Sequence, residues 1–163
     1  MSWVDNTGLL WKYGTEQTTT STGGEYRNDG GVREIEIRID LTTLTETETI
    51  INDNIWFPAG VVISEVEIYV DTAAATGTAI DIGLVRSSDR TTEIDFDGIV
   101  AAAATATLTK GAKLNLVKGS TGVGALITNG TVTTNVGHIT CSRTSATAFT
   151  AGVIRVRIRY SRP

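Results

Sequence analysis

Residues 32–41, VREIEIRIDL, alternate strictly. Ile35, Ile37, Ile39 and Leu41 fall on one face, and Glu34, Glu36, Arg38 and Asp40 on the other. A period of two predicts a half-buried β-strand. VVISEVEIYVD, residues 61–71, repeats the pattern, with Val66, Ile68 and Val70 opposed to Glu65, Glu67 and Tyr69. In TAIDIGLVRS the apolar face is Ile80, Ile82 and Leu84, and Gly83 marks a bulge or a close neighbour. The clearest case is the last: Ile154, Val156, Ile158 and Tyr160 alternate with Arg155, Arg157 and Arg159.

Weaker signals fill the gaps. TETETIIND reads as an edge strand, with Asn52, Asp53 and Asn54 as its turn. IWFPAG is an apolar clamp in which Trp56 is expected to be buried beside Phe57; Pro58 argues against a central strand. TAAATG, residues 72–77, reads as a loop of small residues. TTEIDFDGIVAAAATATL is ambiguous; its alanines favour a short helix over residues 98–104 capped by Asp97. Residues 107–118 read as a strand broken at Gly111, and Asn129-Gly130 as a hairpin turn, since both residues tolerate positive φ. Thr150-Ala151-Gly152 is expected to be the turn between the last two strands.

Short strands separated by turns predict an all-β fold: a single jelly-roll-like β-sandwich over residues 32–163, with at most one short helix. Residues 1–31 are expected to form an N-terminal arm and tether. Pairing the first long strand with the last would close the sheet. The charges favour that register, setting Glu34, Glu36 and Asp40 against Arg155, Arg157 and Arg159; the strand with Glu65 and Glu67 is a rival neighbour.

Composition narrows the function. The chain has 163 residues and a net charge of −4, which disfavours a nucleic-acid partner, because phosphates reward a basic face. One cysteine excludes an internal disulfide. MSWVDNTGLL lacks the basic and apolar regions of a signal peptide, and no apolar run suggests a membrane partner. Candidate chemistry is sparse. His138 and Cys141 fall on opposite faces of one strand, and no Gly-x-Ser-x-Gly elbow exists. Glu93, Asp95 and Asp97 alternate as a partial Ca²⁺ site would, but they read equally as a solvated strand face. KGSTGVG lacks the P-loop order. No motif calls for a metal or a cofactor. Trp3, Trp11 and Trp56 do not line up as a sugar-binding platform. We expect no enzymatic activity.

The arm carries the sharpest expectation. Leu9, Leu10, Trp11 and Tyr13 form an apolar cluster, followed by a Thr-, Ser- and Gly-rich tether over residues 15–24 with little to bury. The cluster is expected to dock on a partner or a second copy. LLWKY as the first strand of the sandwich remains the alternative.

LLWKYGTEQ, GGEYRNDGGVREIEIRIDLTTL, FPAGVVISEVEIYVDTAAATG, IGLVRSSDRTTEIDFDGIVAA and AFTAGVIRVRIRY, taken in this order, resemble small β-rich structural virion proteins of tailed bacteriophages, most of all capsid decoration or cement proteins. The resemblance implies a protein made in the host cytoplasm and carried on the outer capsid surface. It further implies a homotrimer that bridges subunits of the major capsid protein and stabilises the shell. A tail, fibre or spike component that binds host surface or glycans would have the same composition. The resemblance transfers no catalytic or ligand residue.

Overall fold

The computed structural model describes residues 2–4, 10–12, 24–27, 32–131 and 133–162. In the strands before residue 32 only backbone and register are described. The strands are β1 (Ser2–Val4), β2 (Leu10–Lys12), β3 (Gly24–Arg27), β4 (Val32–Asp40), β5 (Thr49–Ile50), β6 (Trp56–Phe57), β7 (Val62–Thr76), β8 (Ala79–Arg86), β9 (Glu93–Ala104), β10 (Lys113–Val117), β11 (Gly137–Arg143) and β12 (Phe149–Ser161). One four-residue helix, α1 (Ala125–Thr128), and two 3-10 turns complete the described elements.

Two antiparallel sheets form a β-sandwich. One has the order β10-β7-β12-β4-β3; the other is β5-β11-β8-β9, with β6 also paired to β11. From β4 onward the chain alternates between sheets except at the consecutive β5 and β6 and at the β8–β9 hairpin. This places β4-β12-β7-β10 opposite β5-β11-β8-β9, the strand order of a jelly roll. β12 lies between β4 and β7, so the two neighbours expected for the arginine strand are both its neighbours.

The alternating residues make the core. Ile35, Ile37 and Ile39 stand opposite Ile158, Val156 and Ile154, which stand in turn opposite Val66, Ile68 and Val70. Ile80, Ile82, Leu84, Ile139 and Cys141 face them from the second sheet, all buried. Phe57 packs on Tyr160 with ring centroids 5.0 Å apart.

The structure corrects five local expectations. The alanine run is strand β9, not a helix capped by Asp97. Helix propensity is a weak prior, and here pairing with β8 overrides it. The small alanines also let residues 122–124 approach: Ala101 N–H donates to Gly122 O at 2.9 Å and Gly124 N–H to Ile99 O at 3.0 Å. TAAATG belongs to β7, whose turn into β8 is confined to its end, where Thr76 (φ 54°) and Gly77 (φ 63°) are left-handed. Thr150-Ala151-Gly152 lies inside β12, where it is a run of register shifts against β7; the turn before it spans residues 144–148.

Asn129-Gly130 ends α1 rather than turning a hairpin. Gly130 N–H donates to Ile127 O and Thr131 N–H to Leu126 O, both at 3.2 Å, with Gly130 at φ 61°. This is a Schellman cap, which uses the same left-handed tolerance for a different purpose. Trp56 is 56% exposed, not buried. It is the cross-strand partner of His138, so it points away from the core while its neighbour Phe57 points in.

Candidate interaction surfaces

The outer face of the first sheet is an ion-pair ladder across three strands. Arg157 reaches Glu34 and Glu36, each at 2.9 Å, and Arg159 reaches Glu34 at 3.0 Å and also Glu65. Arg155 holds Asp71 at 3.0 Å. Register explains the choice of partners: Arg159 stands between Glu34 and Glu65, and Arg157 between Glu36 and Glu67. Asp40 does not join; its side chain caps the 3-10 turn at Thr42 N at 3.0 Å.

Glu67 is the most enclosed carboxylate of the ladder, 4% exposed. Lys113 sits at 2.7 Å, Tyr69 Oη donates at 2.9 Å, and Arg157 and Arg159 stand at 3.6 and 3.8 Å. The Lys113 hydrogen bond outweighs burial and holds Glu67 below its ordinary value. Lys113, Arg155 and Arg157 also lie 5.1–5.6 Å from the Tyr69 ring centroid.

The outer face of the second sheet is built differently. Thr140 and Ser142 project there, opposite Gly83 and Asp81 of β8, while Ile139 and Cys141 face the core. Ser142 Oγ donates to Glu48 at 2.7 Å. Asp81 accepts from Ala102 N at 2.7 Å across a bulge in β9. The chain at residues 95–96 crosses directly over Gly83: a Cβ there would lie 2.1 Å from Asp95 O. Thr140 and Ser142 are therefore 1% and 3% exposed although they face outward.

Five carboxylates surround this covered patch: Glu48, Asp81, Glu93, Asp95 and Asp97. Burial, and then the charges of Asp81 and Glu93, push Glu48 up. Burial raises Asp81, with Asp97 adding to it. Burial, the Asp97 side chain and Glu93 hold Asp95 at about 6. Among the described residues, none of the five has an ion-pair partner, and no three His, Cys, Asp or Glu side chains converge to hold a metal ion.

The two faces give stability opposite pH dependences. Asp95 is raised from 3.8 to about 6, so the folded state binds its proton more readily and stability grows as pH falls through that value. Glu67 is lowered from 4.5, so its contribution is present above 4.5 and is lost as pH falls below it. The melting temperature should rise from about pH 7 to about pH 5 and fall at lower pH. A monotonic fall on acidification, followed by differential scanning calorimetry, would contradict this.

Neither sequence candidate for chemistry gains a reactive setting. His138 is 4% exposed. Its Nδ1 lies 3.2 Å from Ile55 O, which can only accept, so Nδ1 carries a proton, and Nε2 is hydrogen-bonded with Ser87 Oγ at 3.1 Å. Serine and histidine are thus adjacent, but a backbone carbonyl stands where a triad has its carboxylate. Ser87 N–H is bonded to Val136 O at 2.9 Å, so the pair ties loop 87–92 to β11. Cys141 is fully buried, which pushes its thiol well up, away from the thiolate. Beside this lock stand the exposed Trp56 and Val136, 56% and 41% accessible.

Of the residues expected to dock, Leu10 and Trp11 lie on β2; Leu9 and Tyr13 lie outside the described residues. β2 pairs with β1 in the register Val4–Leu10 and Trp3–Trp11, which makes the first two tryptophans cross-strand partners. β3, within residues 1–31, adds to the sheet at β4 in the register Gly24–Glu36 to Arg27–Arg33. The tether expected at residues 15–24 lies outside the described residues except Gly24.

No protein-family model and no curated protein matches the chain. Among solved structures, a chain in the capsid of Ralstonia phage GP4 aligns with a TM-score of 0.55 at 14% identity, over 85% of this chain and 90% of that one. A chain of the cyanophage Pam1 capsid asymmetric unit aligns at 0.47 and 16% identity, over 94% of each chain. At such identity the first likeness is one of fold: this chain is similar in its sandwich to a chain of that Ralstonia phage capsid.

Proposed function

We propose that the chain is a structural virion protein of a tailed bacteriophage. In this reading it is a capsid decoration or cement protein that binds the major capsid protein on the outer surface and stabilises the shell, as a homotrimer at least when bound. The observation that carries this is the fold shared with a phage-capsid chain along nearly the full length of both. The ladder supports it: Arg155, Arg157 and Arg159 are engaged by carboxylates, so this face offers phosphates little. Among the described residues no helix is long and apolar enough to cross a membrane. The role is structural rather than enzymatic. The exposed Trp56 favours one other reading, a tail, fibre or spike component that binds host surface or glycans.

The arm supplies the attachment in this reading. A two-stranded hairpin such as β1–β2 is marginal alone in water and needs a surface to rest on. Leu9, Leu10, Trp11 and Tyr13 would bury against the shell or a neighbouring copy. At about 25 cal/mol per Å², one aromatic burying about 150–250 Å² anchors a short segment. A chain beginning at Gly24 keeps β3. It should melt within a few degrees of the full chain, yet no longer co-sediment with purified shells or form trimers by mass measurement. A much lower melting temperature would place the cluster in the core, and undiminished shell binding would remove its docking role.

A further inference from the structure

The two outer faces of the sandwich are electrostatic opposites. On the first sheet each arginine of β12 meets a carboxylate. On the second, Glu48, Asp81, Glu93, Asp95 and Asp97 come from three separate segments and have no basic partner among the described residues. Repulsion links them in a closed circuit: Glu48 feels Asp81 and Glu93, Asp81 feels Asp97, and Asp95 feels both Asp97 and Glu93. Folding has thus gathered like charge at a cost.

A second observation lies inside the circuit. Thr140, 1% exposed, turns its hydroxyl toward Glu48, yet neither Thr140 Oγ1 nor Glu48 Oε2 makes a well-formed hydrogen bond. Buried polar atoms are normally satisfied. Their lack of partners marks this patch as one whose polar groups are not completed within the folded chain.

We propose that this ring of carboxylates is a docking surface for a cationic protein segment, one presenting several lysine or arginine side chains. A single metal ion fits less well, because no three of the carboxylates converge on one point. A second copy of the chain fits less well too, because its arginine ladder is already neutralised internally. The exposed Trp56, on the same face of the sheet, extends the surface with an apolar anchor. Identifying the cationic segment with the capsid shell rests on the proposed function; the chemistry of the surface does not.

The test uses the full chain and a lysine peptide of about ten residues, followed by titration calorimetry at low and physiological salt. The wild type should bind at low salt and weaken as salt screens the charges. In the double variant Glu93→Gln, Asp95→Asn the residue-93 side chain can still accept from Phe96 N–H, as Glu93 Oε1 does at 3.3 Å, and the chain should fold; a melting curve checks this. Its affinity for the peptide should fall about tenfold, a loss of about 1.4 kcal/mol. Asp53→Asn, outside the ring, should bind as the wild type does. Equal affinity of the double variant and the wild type, or no binding by either, overturns the proposal. A parallel sedimentation with purified shells separates the two readings. If the wild type binds peptide but not shells, the capsid assignment fails and the surface stands. If the wild type and the double variant bind shells equally, the ring is not the shell contact.

Discussion

Gly83→Ala should destabilise the fold by about 3 kcal/mol or more, at the upper end of what overpacking costs. β8 is an interior strand between β11 and β9. A Cβ at residue 83 would lie 2.1 Å from Asp95 O, 2.2 Å from Phe96 C and 2.3 Å from Phe96 O. All three are backbone atoms, so no rotamer change relieves the clash. Residues 95–96 would have to lift, opening the β8–β9 register and uncovering Thr140 and Ser142. Urea unfolding should show a lower midpoint with little change in slope. A loss below about 1 kcal/mol would mean that the strand crossing over Gly83 is not as close as described.

Arg157→Met should cost about 2–4 kcal/mol near neutral pH. The arginine is 29% exposed and touches Glu34, Glu36 and Glu67. Methionine keeps much of the apolar stem but leaves carboxylates crowded around Glu67, itself 4% exposed. Exposed ion pairs contribute about 0–1 kcal/mol; the larger figure here comes from stranding an enclosed charge. pH separates the causes. If uncompensated carboxylates are responsible, the deficit shrinks as pH falls below 4.5 and their protonation removes the repulsion. A deficit independent of pH would point to lost packing instead.

These two sites differ in how far the sequence reveals them. The ladder was legible: Glu34 and Glu36 alternate with isoleucines, Arg155 to Arg159 alternate with their own apolar set, and opposite charge on two period-two strands implies adjacency. Gly83 was legible as a close approach, though not what approached it. The alanine strand β9 was hidden because alanine carries no strong strand signal and the register shifts in its pairing with β8 break the period of two. Asn129-Gly130 declared a left-handed residue, and a helix cap satisfies that as well as a hairpin does. The alternation of Glu93, Asp95 and Asp97 is visible in the sequence. Glu48 and Asp81 join them only because β5, β8 and β9 reach β11 and its neighbours across the chain, and no local pattern encodes that meeting. Trp56 went the wrong way because an apolar neighbourhood does not say which of two adjacent residues points inward; the pairing with Gly137 and His138 decides it.

A reconstruction of the virion by electron cryomicroscopy, compared with particles lacking this chain, bears most directly on the proposed role. The proposal expects a jelly-roll density on the outer capsid surface that vanishes in the deficient particles, with those shells disrupted at lower temperature. Density confined to the tail or a fibre, or shells unchanged in both form and stability without the chain, would contradict it.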